Sequence, residues 1–277
     1  MSKTGRKRPA FSGGKDWLVS GLAIGALGLM GGFIAVPILA LVVWTVSEEA
    51  WGAMASPVAR DALLLSTKTT AVTMVILILV GTPAAYVLAR GRFRGSRALN
   101  TLVELPIVLP PSAAGIALLL AFGRLGLVGQ HLNVFGITLT FTTVAVVMAE
   151  VFVAAPFYLR QAATGFARVD RAIEEAALVD GADRTAAFFK VTVPLAFPAL
   201  VAGAVTAWAR ALGEFGATII FAGNFRGVTQ TIPLAIYSEF QSNIDASVAL
   251  SVLVLGFAFA VILAVRYLTS KAVEYTK

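Results

Sequence analysis

Cysteine is absent from the 277 residues, and histidine occurs once, as His131. Without thiols the chain has no disulfides, no thiolate metal sites and no cysteine-held iron–sulfur clusters. One imidazole does not build the histidine clusters that zinc or haem chemistry uses. Charge is scarce too: Asp, Glu, Lys and Arg make up 13% of the chain, against about a quarter in an ordinary soluble domain. The phosphate-binding pattern G-x-x-x-x-G-K-[ST] does not occur; Gly13-Gly14-Lys15 lacks both its spacing and its terminal hydroxyl residue. ATP is therefore not expected to bind here by that route. No nucleophile and base pair, metal-ligand group or cofactor loop stands out, which leaves an enzymatic reading without support. Low-complexity tracts and a clear internal repeat are also missing.

What is present is apolar sequence. Hydrophobic residues make up 58% of the chain and the mean hydropathy is +0.85. Runs long enough to cross about 30 Å of hydrocarbon occur near 18–46, 62–89, 102–123, 141–159, 195–221 and 247–268. The expectation is an all-α membrane protein of six transmembrane helices, with a basic tail over 1–17, a membrane domain over 18–268 and a second tail over 269–277. The basic start is like the head of a signal peptide, but the apolar run behind it exceeds the roughly 7–15 residues of such signals, so an uncleaved first span is expected. The stretches ELPIVLPPSAAG (104–115) and GEFGA (213–217) break the third and fifth runs. Such breaks survive in a membrane only where protein or a watery cavity satisfies the freed backbone groups, so they point inward.

The net charge is +7, yet its basic residues lie between apolar runs rather than on one face, which argues against nucleic acid as a partner. Most of the 22 lysines and arginines fall in the N-terminal tail, in RGRFRGSR (90–97), in 160–190 and near the C-terminus. The positive-inside rule then places both termini and the stretch 160–190 on the cytoplasmic side.

That stretch contains EEAALVDGADRTAAFFKVTVPLAFP (174–198). Asp170 is suited to cap a helix starting at Arg171, with Glu174 and Glu175 near the positive end of its dipole. Gly181 supplies a left-handed stop, and Asp183 caps a second short helix through Thr185 to Lys190, ahead of Pro194 and Pro198. Ala172, Ala176 and Ala177 beside Ile173 form a narrow, weakly apolar stripe that a partner groove can close on. The same pattern also suits a solvated loop helix.

Glu175-Ala176-Ala177, then Gly181, then Val191, Val193 and Pro194 are similar to the EAA motif of ABC-importer permeases, with Val in place of the Ile and Leu of its last part. ELPIVLPPSAAGIALLLAFGRLGLVG (104–129) and RALGEFGATIIFAGNFRGVTQTIPLAIY (210–237) resemble the molybdate and tungstate permeases of the oxyanion branch; the likeness covers about residues 60–268. It implies the type I importer fold, a bacterial cytoplasmic (inner) membrane location and a coupling helix within about 170–190. The coupling residues it assigns are Glu174, Glu175, Ala176, Ala177, Asp180, Gly181, Ala182 and Pro194. The implied partners are a second copy of the chain, two ATP-binding cassette subunits, an extracytoplasmic oxyanion-binding protein and membrane lipid. ATP and Mg would sit on the partner subunit, with no cofactor or metal on this chain. Sulfate and thiosulfate permeases share much of the pattern.

For the pathway, Arg210 and Glu214 stand four apart and share a helix face. They either line the route, one attracting the anion and the other limiting its hold, or neutralise each other and fix packing. Pro110, Pro111 and Ser112 interrupt the third span. Thr218, Asn224, Thr229 and Gln230 lie on or after the fifth, in a segment that either receives an oxyanion or is a plain re-entrant loop. Glu104 and Glu150 read as structural or interfacial. A rival of another class is an ion-coupled transporter using Glu150, Arg210 and Glu214.

Overall fold

The computed structural model describes residues 16–45, 48–91 and 94–274. The basic tail expected over 1–17 lies almost wholly outside them. Among the described residues there are helices and no strands, in the order α1 (Asp16–Trp44), α2 (Glu48–Met54), α3 (Pro57–Ile76), α4 (Thr82–Arg90), α5 (Ser96–Val108), α6 (Pro111–Phe122), α7 (Gly129–Val134), α8 (Thr143–Arg168), α9 (Arg171–Val179), α10 (Arg184–Ala187), α11 (Val193–Leu212), α12 (Gly216–Phe221), α13 (Ile232–Phe240) and α14 (Ile244–Glu274). Five continuous helical segments are long and apolar enough to cross a membrane: 20–44, 57–90, 143–168, 184–212 and 244–267. The pair α5 and α6, bent by 118°, meets the same test of length and composition only when taken together.

Two expected spans therefore change form. The third, 102–123, is two short helices rather than one crossing. Leu109 adopts ψ 130° and Pro110 ψ 139°, because a residue before proline is driven out of the helical region and Leu109 and Pro110 both precede one. The fifth, 195–221, begins earlier, at Arg184, and ends at Leu212. Gly213, Glu214 and Phe215 then leave the helix before α12 starts.

Two spans carry a wide π turn, Leu77–Gly81 between α3 and α4 and Phe188–Thr192 between α10 and α11. Each is followed by a proline, Pro83 and Pro194. Proline has no N–H to donate and its ring crowds the carbonyl four residues back, so the preceding turn widens.

The centre is the packing of α8 on α11, where Ala154, Ala162, Ala196, Ala207 and Ala211 are buried around Tyr158 and Phe166. Small side chains let membrane helices approach closely where no hydrophobic driving force exists. A Cβ placed on Gly165 would overlap the Ala199 methyl. Gly165→Val is expected to destabilise the detergent-solubilised protein by about 1–3 kcal/mol through overpacking, read as a lowered thermal midpoint. A second cluster joins α6 to α12 and α8 through Ala114, Leu118, Ala145, Val146, Ala149, Ala217 and Phe221. Here a Cβ on Gly115 would stand 2.8 Å from Ile220 Cβ, and one on Gly216 2.5 Å from Pro111 Cβ. The two half-length helices that follow the two breaks thus pack against each other. The third cluster joins Ala59 and Ala62 of α3, Ile232 and Ala235 of α13, and Leu250 of α14. By contrast, none of the apolar window of α1 is buried by the rest of the chain.

Candidate functional site

The polar hairpin between α8 and α11 is built by local chemistry that its sequence announces. Asp170 takes the N-cap of α9 and accepts from the Ala172 N–H at 3.0 Å. After Val179, Gly181 adopts φ 94°, a left-handed value that glycine reaches without a Cβ penalty. The chain then closes on itself, the Ala182 N–H donating to the Ala177 carbonyl at 3.0 Å. Asp183 caps α10, accepting from the Ala186 N–H at 2.6 Å. The second helix is shorter than expected, because from Phe188 onward the chain is already the π turn that leads into α11.

The two glutamates of α9 face opposite ways. Glu175, Ala176 and Asp180 are exposed, as is Gly181 at the turn, whereas Ala177 and Ala182 are half-buried and Pro194 stands apart at the start of α11. Ile173, Leu178 and Val179 are exposed as well, the last by 87%. Apolar side chains of that size beside charges make a surface suited to a partner groove. Glu174 points inward: its Oε1 accepts from Arg90 Nη2 at 2.8 Å and from the Thr192 hydroxyl at 3.0 Å. The same Arg90 nitrogen donates to the Val169 carbonyl at 2.7 Å.

In the membrane-spanning part, Arg210 and Glu214 form an ion pair at 2.6 Å, with side chains 29% and 1% exposed. They do not share a helix as expected, since α11 ends at Leu212. The break instead turns Glu214 toward α12, where its Oε1 accepts from the Ala217 N–H at 2.7 Å. Glu214 thus neutralises Arg210 and satisfies one of the orphan donors at the start of α12. Thr218, also on α12, is buried, and its hydroxyl has no partner among the described residues. Pro110, Pro111 and Ser112 are exposed at the bend.

The polar side chains of the loop after α12 bond within the loop and to α13. Thr229 accepts from the Phe225 N–H at 2.9 Å, the Asn224 amide donates to the Ser238 hydroxyl at 2.8 Å, and the Gln230 amide reaches that hydroxyl at 3.5 Å. Gly223 and Gly227 take the left-handed turns between them, each at φ 74°. Arg226 reaches back to Asp61 at 3.1 Å, an exposed pair of little energetic weight.

One polar constellation was not anticipated as a unit. Glu150 of α8 is buried and accepts from the hydroxyls of Thr69 and Thr73 of α3, at 2.7 and 2.8 Å. Ser66, one turn earlier, accepts from the Ile232 N–H at 2.8 Å and so closes the start of α13. The signal was present in STKTTAVT (66–73), whose hydroxyls at 66, 69, 70 and 73 recur on one helical face. Among the described residues no group of three His, Asp or Glu is placed to hold a metal.

Taken together, these features define a multi-pass, all-helical membrane protein with breaks in its third and fifth apolar runs and a capped hairpin beyond the spans. The fold is shared with solved ABC importers of type I. A chain of a bacterial ABC transporter involved in the import of the acidic polysaccharide alginate superposes with TM-score 0.72, covering 93% of this chain and 96% of that one at 15% identity. A chain of the methionine transporter MetNI superposes with TM-score 0.57, covering 83% of this chain and 99% of its own, at 20% identity. Residues 78–274 match the model of the binding-protein-dependent transport system inner membrane component, and the chain belongs to that family. Among curated relatives it is 47% identical over 234 residues to the molybdenum transport system permease ModB of Mycobacterium tuberculosis, covering 84% of this chain and 88% of that protein. ModB of Escherichia coli is 38% identical over 203 residues, 73% of this chain and 89% of its own. The molybdate/tungstate permease WtpB of Pyrococcus abyssi is 32% identical over 216 residues, 78% and 81% respectively. These relatives are permease subunits rather than enzymes.

Proposed function

We propose that the chain is the permease subunit of an ATP-driven importer for molybdate or tungstate. The observation that carries this reading is the 47% identity to a molybdenum permease across 84% of the chain, in a fold that ends in a capped hairpin with an exposed apolar and acidic face. The hairpin docks on a cytoplasmic ATP-hydrolysing subunit, with both termini on the same side of the membrane. Two copies of the chain enclose the pathway, two ATPase subunits carry the ATP and Mg, and an external binding protein delivers the oxyanion. This chain binds no cofactor of its own.

The energetics support an external energy source. Moving a dianion inward against an interior-negative potential costs about 4.6 kcal/mol per 100 mV, at roughly 2.3 kcal/mol per charge. With Arg210 neutralised by Glu214, the described spans offer no isolated, buried cation to hold that anion tightly, which suits a route that must release what it admits.

Competition measured on the complex reconstituted in vesicles with its ATPase and binding protein tests the cargo. Uptake of labelled molybdate is expected to be suppressed by equimolar tungstate and hardly affected by equimolar sulfate. Suppression by sulfate equal to that by tungstate would assign the chain to sulfate transport. Uptake that continues without the ATPase subunit would overturn the ATP-driven reading altogether.

A further inference from the structure

Glu174 sits beside the glutamate of the EAA triad, yet its environment is that of an internal fastening. On α9 it is half-buried, as is Ala177 three residues on, while Glu175, Ala176, Leu178, Val179 and Asp180 are exposed. Its side chain is 15% exposed and that of Arg90 12%. A single carboxylate oxygen, Oε1, receives both the Arg90 guanidinium, 84 positions earlier, and the Thr192 hydroxyl, 18 positions later. Thr192 is itself buried. Arg90 is the last residue of α4, so it closes the second span; Thr192 is the last residue of the π turn that opens α11. By donating also to the Val169 carbonyl, Arg90 ties in the end of α8. Three spans and the hairpin therefore meet at one guanidinium and one carboxylate. Beneath them Tyr86 packs edge-on against Phe166 and Phe188, at ring separations of 5.6 and 4.9 Å.

We infer that Arg90, Glu174 and Thr192 form the clasp through which displacement of the hairpin is passed to the spans, and that Glu174 is a positioning residue rather than a contact of the ATPase. This inference rests on the docking role proposed above. A push on the exposed face of α9 moves the spans only if the hairpin is stiffly joined to them, and α9 has few other means of attachment. It is nine residues long, and none of them is fully buried. Charge-assisted hydrogen bonds at a partly buried site are the strongest non-covalent fastening available to so short a helix. Three hydrogen bonds from two side chains onto two acceptors also fix direction, which one apolar contact does not.

The test measures oxyanion imported per ATP hydrolysed, a ratio that simple loss of folded protein leaves unchanged. In the reconstituted complex, Glu174→Ala is expected to lower that ratio about tenfold, within the usual range of coupling between sites, while the ATPase subunit still co-purifies. Glu174→Gln, which keeps an acceptor oxygen without the charge, falls between. Thr192→Val removes one hydroxyl and lowers the ratio in the same direction by a smaller factor. Loss of the ATPase subunit from the Glu174→Ala complex would make Glu174 a docking contact and overturn the inference. An unchanged ratio in Glu174→Ala, or in Thr192→Val where the alanine variant fails to insert, would overturn it equally. Glu175→Arg, run in parallel, separates the two layers: if it leaves the ATPase bound and uptake normal, docking through this hairpin fails, whatever Glu174 does.

Discussion

Gly181→Pro is expected to all but abolish uptake while the chain still inserts. Gly181 stands at φ 94° and its N–H donates to the Leu178 carbonyl at 3.2 Å. Proline locks φ near −65° and has no N–H, so it meets neither condition, and a proline so misplaced costs about 3 kcal/mol or more. The spans are packed elsewhere, around Tyr158 and Phe166, so the damage stays in the hairpin. There it opens the turn that sets α9 against α10 and shifts the exposed face of α9 relative to the spans. Uptake in vesicles is expected to drop by about two orders of magnitude, the upper range of a coupling free energy, with the chain recovered from membranes in normal amount. Gly181→Asn is the matched control. Asparagine tolerates the left-handed region and keeps the N–H, so its uptake stays near that of the parent. Equal loss in both variants would mean that the side-chain-free surface, and not the turn, is what matters.

The second large effect concerns Glu214. Its removal has two costs at once: Arg210 is left with no counter-charge in the span, and the Ala217 N–H at the start of α12 loses its acceptor. Breaking a buried pair by deleting one partner costs about 3–5 kcal/mol, and Glu214→Ala is expected to yield little folded protein in a detergent thermal melt. Exchanging the two charges does not repair this, because an arginine at 214 has no acceptor atom for Ala217. Arg210→Met combined with Glu214→Gln does. It removes both charges and retains a carbonyl at 214, and stability is expected to return to within about 1 kcal/mol of the parent, as replacing a buried pair by neutral groups generally allows. Uptake by that double variant then tells the two roles of the pair apart. Transport near the parental rate assigns the pair to packing, and a stable but inactive protein assigns it to the route.

What the sequence disclosed and what it hid follow a physical line. Asp170, Gly181 and Asp183 were readable because each acts within three or four residues of itself. Six apolar runs were readable because bilayer thickness sets a length. The breaks at Pro110–Pro111 and Gly213–Gly216 were readable as places, since prolines and glycines say where a helix falters; the 118° bend was not, because its size depends on what α6 packs against. The early start of the fifth span was hidden by Arg184 and Lys190, whose charges dilute a run that is nonetheless helical. Arg90 read as one more cytoplasmic positive charge, and nothing near position 90 points to a carboxylate 84 residues away. In the loop after α12, nothing near Asn224 and Gln230 points to Ser238, which their amides reach, nor near Thr229 to the Phe225 N–H that it accepts. Side-chain chemistry was legible; who had already claimed it was not.

The wide turns ahead of Pro83 and Pro194 flank the clasp, one on the way into α4 and the other ending at Thr192 itself. An imino nitrogen has no hydrogen to give, so the ladder is already one rung short at each, and flexing there sacrifices no bond that regular helix would have to break. The short arm that carries α9 is thus mounted between two built-in joints. Bending of the second and fifth spans is expected to concentrate at those two rungs rather than in the alanine-lined seam of α8 and α11.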